Sequence, residues 1–86
     1  MSGNDKFDTA AVEVKQLTYR PSDSELLELY AYYKQGTVGD NETEKPGIFD
    51  LKGSAKWKSW NKLKGMSKEE AQAKYIELVE TLKARN

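Results

Sequence analysis

Tyr30, Tyr33 and Lys34 stand at i, i+3 and i+4, positions that share one face if the segment is helical. Further along, Lys52 and Lys56 are also one helical turn apart and sit beside Trp57 and Trp60. Aromatic rings next to ammonium groups suit a ligand that combines a flat ring system with phosphates, because the rings stack and the ammonium groups pair with phosphate oxygens. Each cluster also has a plainer reading. Tyrosines at helical spacing fill cores, and a lysine after them is usually just solvated. Between Lys45 and Lys64 there are six lysines against one acidic residue, Asp50, a pattern that also fits a solvated helix face around two structural tryptophans.

Composition narrows the chemistry. The chain has 86 residues, with 14 basic and 14 acidic side chains, so the basic run is local rather than global. It has no histidine and no cysteine, which removes the commonest general base at neutral pH, the commonest metal ligands and any disulfide. No catalytic residue and no metal site is expected. The twelve lysines outnumber the two arginines. Lysine acts as a mobile point charge, whereas arginine's fork reads guanine edges and grips phosphates bidentately. The balance favours a small phosphorylated ligand over sequence-specific nucleic-acid recognition. Neither a phosphate-binding Gly-x-x-x-x-Gly-Lys-Ser/Thr loop nor a Gly-x-Gly-x-x-Gly turn is present.

Four helices and no strand are expected to position these residues. Phe7, Ala10, Ala11, Val14 and Leu17 form an apolar stripe over about Asp5 to Leu17, and Pro21 forbids its continuation. Ser22 and Glu25 have capping-box spacing, so a second helix starts there. It carries Leu26, Leu27, Leu29, Tyr30 and Tyr33 and fades between Gly36 and Gly39. Residues 37–51 make a connection longer than most helix–helix links, with Ile48, Phe49 and Leu51 expected to tuck it against the helices. A third helix over about Gly53 to Lys64 ends on Gly65, a good C-terminal cap. A fourth begins at Ser67, which has capping-box spacing to Glu70, and carries Ala71, Tyr75, Leu78, Val79 and Leu82. The first fifteen residues hold no apolar run of signal-peptide length and no segment approaches the ~20 apolar residues of a membrane span, so one soluble cytoplasmic domain, residues 1–86, is expected, monomeric by default. Asn41-Glu42-Thr43 has the form of a glycosylation acceptor and reads as a chance match in a polar loop.

These residues lie in longer motifs. YxxYKQxTVGD from Tyr30 to Asp40, EKPGIFDLKGSAKWKSWNKLKG from Glu44 to Gly65, SKEEAQAKYIELVETLK in the last helix and FDTAAVEVKQL near the start together resemble the acyl-CoA-binding protein family, in its single-domain, diazepam-binding-inhibitor-like form, over essentially the whole chain. The resemblance implies an all-α, up-down-down-up four-helix bundle with a long overhand connection between the second and third helices. It implies a fatty acyl-CoA ligand, no cofactor and no catalysis. By the same resemblance, Tyr30, Tyr33 and Lys34 surround the nucleotide end of the ligand, Lys56 contacts the ribose 3′-phosphate, Tyr75 joins from the last helix and Lys15 lies near the phosphates. Leu26 and Leu27 fall where the family lines its acyl groove. The chain departs from the family pattern at Gly36, where alanine is usual, at Ser54, where lysine is frequent, and in its tail, Lys83-Ala84-Arg85-Asn86. The implied role is carriage of a soluble medium- to long-chain acyl-CoA pool in fatty-acid metabolism, with transient contact with membranes or acyl-CoA-using enzymes. A regulatory helical interaction module and a basic-helix nucleic-acid binder are the alternatives. Steeply salt-dependent DNA affinity would mark the latter. A hydrolase would betray itself by releasing thiol.

Overall fold

A computed structural model of the protein describes residues 4–86, so the first three residues of the expected 1–86 domain lie outside the described part. The element order is α1 (Asp5–Glu13), a 3₁₀ turn (Val14–Gln16), α2 (Asp23–Thr37), α3 (Leu51–Asn61) and α4 (Lys68–Ala84), with no strand among the described residues.

The contacts between helices set their directions. Near the start of α1, Asn4 donates to Gln72 near the start of α4, at 3.0 Å, and near its end Glu13 pairs with Lys83 near the end of α4, at 2.9 Å. Hence α1 and α4 run parallel. At the end of α2 the Gly36 carbonyl accepts from Gln72 Nε2, while near its start Glu25 meets Arg85, so α2 opposes α4. Lys56 reaches Tyr30 and Trp60 lies under Lys34, so α3 follows α2. This is the expected up-down-down-up bundle. α2 packs most extensively on α4, and α3 leans on α2 alone.

Local chemistry explains the helix ends. Ser22 and Glu25 form the full reciprocal box. Ser67 accepts from the Glu70 backbone N–H, the forward half of the second one. α3 starts two residues before the expected Gly53 because the Asp50 carboxylate accepts from Gly53 N–H, and such a cap stabilises a helix by about 1 kcal/mol. It ends at Asn61 rather than Lys64 because the chain tightens there into i→i+3 bonds from Leu63 to Trp60 and from Met66 to Leu63. Gly65, at φ +91°, then reverses the chain.

Phe7, Ala10, Leu29, Tyr75, Val79 and Leu82 make the core, with Val14, Leu17, Leu26 and Leu78 packed around it. Gly36 lies inside this contact: a Cβ there would sit 3.1 Å from Gln72 Cγ and 3.2 Å from Phe7 Cζ. The glycine lets α2 come close to Phe7 and Gln72. The tail is tied down. Asn86 Oδ1 accepts from the Thr18 backbone and hydroxyl, and the Tyr19 hydroxyl donates to Leu82 O.

The long connection corrects an expectation. Its first half is ordered by polar ties rather than apolar ones. Buried Asn41 donates to Trp57 O and accepts from the Thr43 backbone and hydroxyl. Asp40 accepts from Gln35 and from Gly65 N–H. The indole N–H groups of Trp57 and Trp60 donate to Thr43 O and Gly39 O. Burial of Asn41 also takes it out of reach as a glycan acceptor. Ile48, Phe49 and Leu51 do not tuck against the helices; they are 81%, 93% and 77% exposed. The polar ties reach only as far as Thr43, and the apolar side chains further along stand out in solvent.

Candidate functional site

α2 presents two sides. Leu29 and Gly36 face the core, and Ala31 and Gln35 are also buried. Tyr30 and Lys34 are half-buried and Tyr33 is 42% exposed, so the tyrosines are not core filler. Lys56 extends from α3 until its Nζ lies 5.4 Å from the Tyr30 ring centroid, and Lys34 Nζ lies 5.4 Å from the Trp60 ring. Two parallel helices thus carry matched four-residue pairs, Tyr30/Lys34 and Lys56/Trp60, with ring and ammonium exchanged between them. Such contacts are worth about 0.5–1 kcal/mol near solvent, weak enough to yield to an anion, and each ammonium offers three donors. Trp60 as a platform beneath Lys34 is a part of the site that the motifs did not single out. Its signal was the spacing to Lys56, equal to that between Tyr30 and Lys34.

Tyr33 belongs to a second cluster, where α1, α2 and α4 meet. Its ring stacks on Phe7 at 5.4 Å and leans on Tyr75 at 5.6 Å, and Phe7 meets Tyr75 edge-on at 5.2 Å. Tyr75 is buried, and its exposed neighbour Tyr33 carries the cluster to the surface. Burial, with a smaller contribution from Tyr33, pushes the Tyr75 phenol up to about 12. A phenol held above its ordinary value near 10 stabilises the fold at every pH below about 10, and this is lost as pH rises through about 12. Ultraviolet titration should therefore show one of the five tyrosines ionising late and together with alkaline unfolding, and Tyr75→Phe should remove that late step. Ionisation of all five together in the folded protein would contradict this.

The remaining expected residues separate. Lys15 is exposed on the 3₁₀ turn, and among the described residues no hydrogen bond or ion pair ties it to either cluster. Leu26 packs against the core, whereas Leu27 lines a groove of about 300 Å³ between α2 and α3 with Ala31, Tyr32, Ser59 and Leu63. Leu27 is one turn from Tyr30 and Ser59 one turn from Lys56, so the groove adjoins the first ring–ammonium pair. A larger hollow of about 450 Å³ between α1 and α4 is lined by Asp5, Lys6, Thr9, Glu13, Ile76 and Glu80, with Glu13 and Glu80 both paired to Lys83, and it holds none of the expected site residues. No group of three His, Cys, Asp or Glu able to hold a metal occurs among the described residues. None of their helices is long and apolar enough to cross a membrane.

Comparison with known proteins bears on this geometry. The family described as "Acyl CoA binding protein" matches residues 4–79. The chain is 58% identical over 82 residues, 95% of each protein, to an acyl-CoA-binding protein homolog of Drosophila melanogaster. It is 60% identical over 79 residues, 92% of each, to acyl-CoA-binding protein homolog 1 of Caenorhabditis elegans. The crystal structure of Oryza sativa acyl-CoA-binding protein 2 superposes with a TM-score of 0.90 at 43% identity, covering 94% of this chain and 90% of that one.

Proposed function

The chain belongs to the acyl-CoA-binding protein family, and on that premise we propose that it is a monomeric, single-domain cytoplasmic carrier of medium- to long-chain fatty acyl-CoA. In this reading it holds a soluble, protected thioester pool and delivers it to membranes or acyl-CoA-using enzymes, without catalysis of its own. The observation that carries the reading is the seam between α2 and α3, where Lys56 over Tyr30 and Lys34 over Trp60 adjoin the groove lined by Leu27.

The physical problem is partition. An acyl chain gains about 0.8 kcal/mol per methylene removed from water, and a bilayer offers a comparable gain. A groove alone would only match lipid. Contacts to the nucleotide end break the tie, because hydrogen bonds to charged groups contribute roughly 1.5–3 kcal/mol each. Lys56 and Lys34 supply them to phosphate. Tyr30 and Tyr33 offer rings to adenine, and stacks of that kind are worth about 1–3 kcal/mol. Tyr75 holds Tyr33 in place from behind, and Lys15 adds longer-range attraction for phosphate. Leu27, with Leu26 behind it, receives the start of the chain.

Tryptophan-monitored titration tests the central contact. Lys56→Ala should weaken acyl-CoA binding about 10- to 100-fold while leaving affinity for the 3′-dephospho ligand nearly unchanged. Equal losses for both ligands would remove Lys56 from the phosphate.

A further inference from the structure

The Asp50 backbone N–H donates to Gly47 O at 3.0 Å, closing a turn with Ile48 and Phe49 at its two central positions. Such positions are normally filled by Gly, Pro, Asn, Asp or Ser. Here they hold two large apolar side chains, and Leu51, the first residue of α3, adds a third. All three are more than three-quarters bare, although scattered exposed leucines are ordinary and a cluster of this kind is not. The cluster is convex, since side chains so exposed have no wall beside them. Exposed Lys45 and Lys52 flank it in sequence, and exposed Lys56 follows one helical turn after Lys52. Of the nearby acids, Asp50 is engaged as the cap of α3, leaving Glu42 and Glu44 on the upstream side.

We propose that the tip Ile48–Phe49–Leu51 is a membrane anchor that inserts into the interfacial region of an anionic bilayer, with Lys45, Lys52 and Lys56 against the headgroups. A convex apolar knob needs a partner that deforms around it, as fluid lipid does. The basic rim fits phosphate and carboxylate headgroups, each lysine near such a surface adding attraction. One apolar insertion plus a few basic contacts gives reversible association, which suits a protein that must leave again. Docking needs no ligand, so it stands apart from the binding reading. Lys56 belongs to both surfaces, which places the seam between α2 and α3 next to the lipid.

Flotation of the ligand-free protein with vesicles tests this. Vesicles of phosphatidylcholine containing phosphatidylserine should retain the protein, and pure phosphatidylcholine vesicles should hold it about tenfold or more less well. The double variant Ile48→Ser/Phe49→Ser should lose about tenfold or more of the partitioning, and Lys52→Gln about fivefold. Val12→Ser, which removes an exposed valine on α1, should bind as wild type. None of these side chains is buried, so thermal unfolding should stay unchanged and a folding defect would be visible separately. The proposal falls if the wild type ignores anionic vesicles, if the double variant floats as well as wild type, or if sedimentation shows that the tip instead joins two copies of the chain. Calorimetry with soluble acyl-CoA reports the other reading independently, since the double variant should keep wild-type affinity there.

Discussion

Coenzyme A without its acyl chain will bind this protein at least about a thousandfold more weakly than palmitoyl-CoA. Five methylenes taken out of water account for that factor at about 0.8 kcal/mol each, and the groove of about 300 Å³ beside Leu27 is the place proposed for them. Palmitate alone will fare no better than about a hundredth of palmitoyl-CoA, because it forfeits the charge-assisted contacts proposed at Lys34 and Lys56. Calorimetry against thioesters of rising chain length measures both ends of the comparison. The gain per methylene should persist until the groove is full and then level off. Equal affinity for palmitate and palmitoyl-CoA would refute the anchoring of the nucleotide end, and with it the account of how the protein competes with lipid.

Phe7→Ala will bring the protein close to unfolding at physiological temperature. The ring is 1% exposed and touches Tyr33 and Tyr75. Truncating a buried phenylalanine costs about 3–5 kcal/mol, and a domain of this size has only about 5 kcal/mol in hand. The unfolding midpoint should fall by about 15 °C or more. Val12→Ala on the same helix, with its side chain 58% exposed, should change stability by less than about 0.5 kcal/mol. A mild effect at Phe7 would mean that the junction of α1, α2 and α4 repacks easily. At temperatures where the variant still folds, Tyr33 would also lose its stacking surface, so affinity and stability should drop together.

Patterning and punctuation revealed more of this protein than packing did. The α1 stripe, the Ser22 and Ser67 caps and the Gly65 reversal were legible because each rests on a local rule that neighbouring residues satisfy. The start of α3 was missed although its signal was there: Asp50, three residues before Gly53, has the spacing of a capping carboxylate. Gln35, Asn41 and Gln72 could not be found this way. Each is buried, yet a polar side chain carries no mark of burial until its distant partners are known. Gln72 reaches Gly36 O and Asn4, and Gln35 reaches Asp40 and Met66 O. Treating apolar residues in a loop as inward-facing failed at Ile48, Phe49 and Leu51 because that rule says what hydrophobic residues prefer, while the available surfaces decide where they go. Of the candidate site, the motifs singled out Tyr30, Tyr33, Lys34 and Lys56. They did not show that Tyr33 and Tyr75 group with Phe7, or that Trp60 underlies Lys34, because those pairings depend on how the helices cross.

α3 leans on α2 alone and is otherwise fastened by the indole ties and the Asn41–Trp57 bond of the connection that precedes it. Its outer flank can therefore be rewritten residue by residue without disturbing the core. Over generations, selection can retune the taste of this helix for charge and grease while the other three conserve the architecture, so diversity among descendants should gather on one flank.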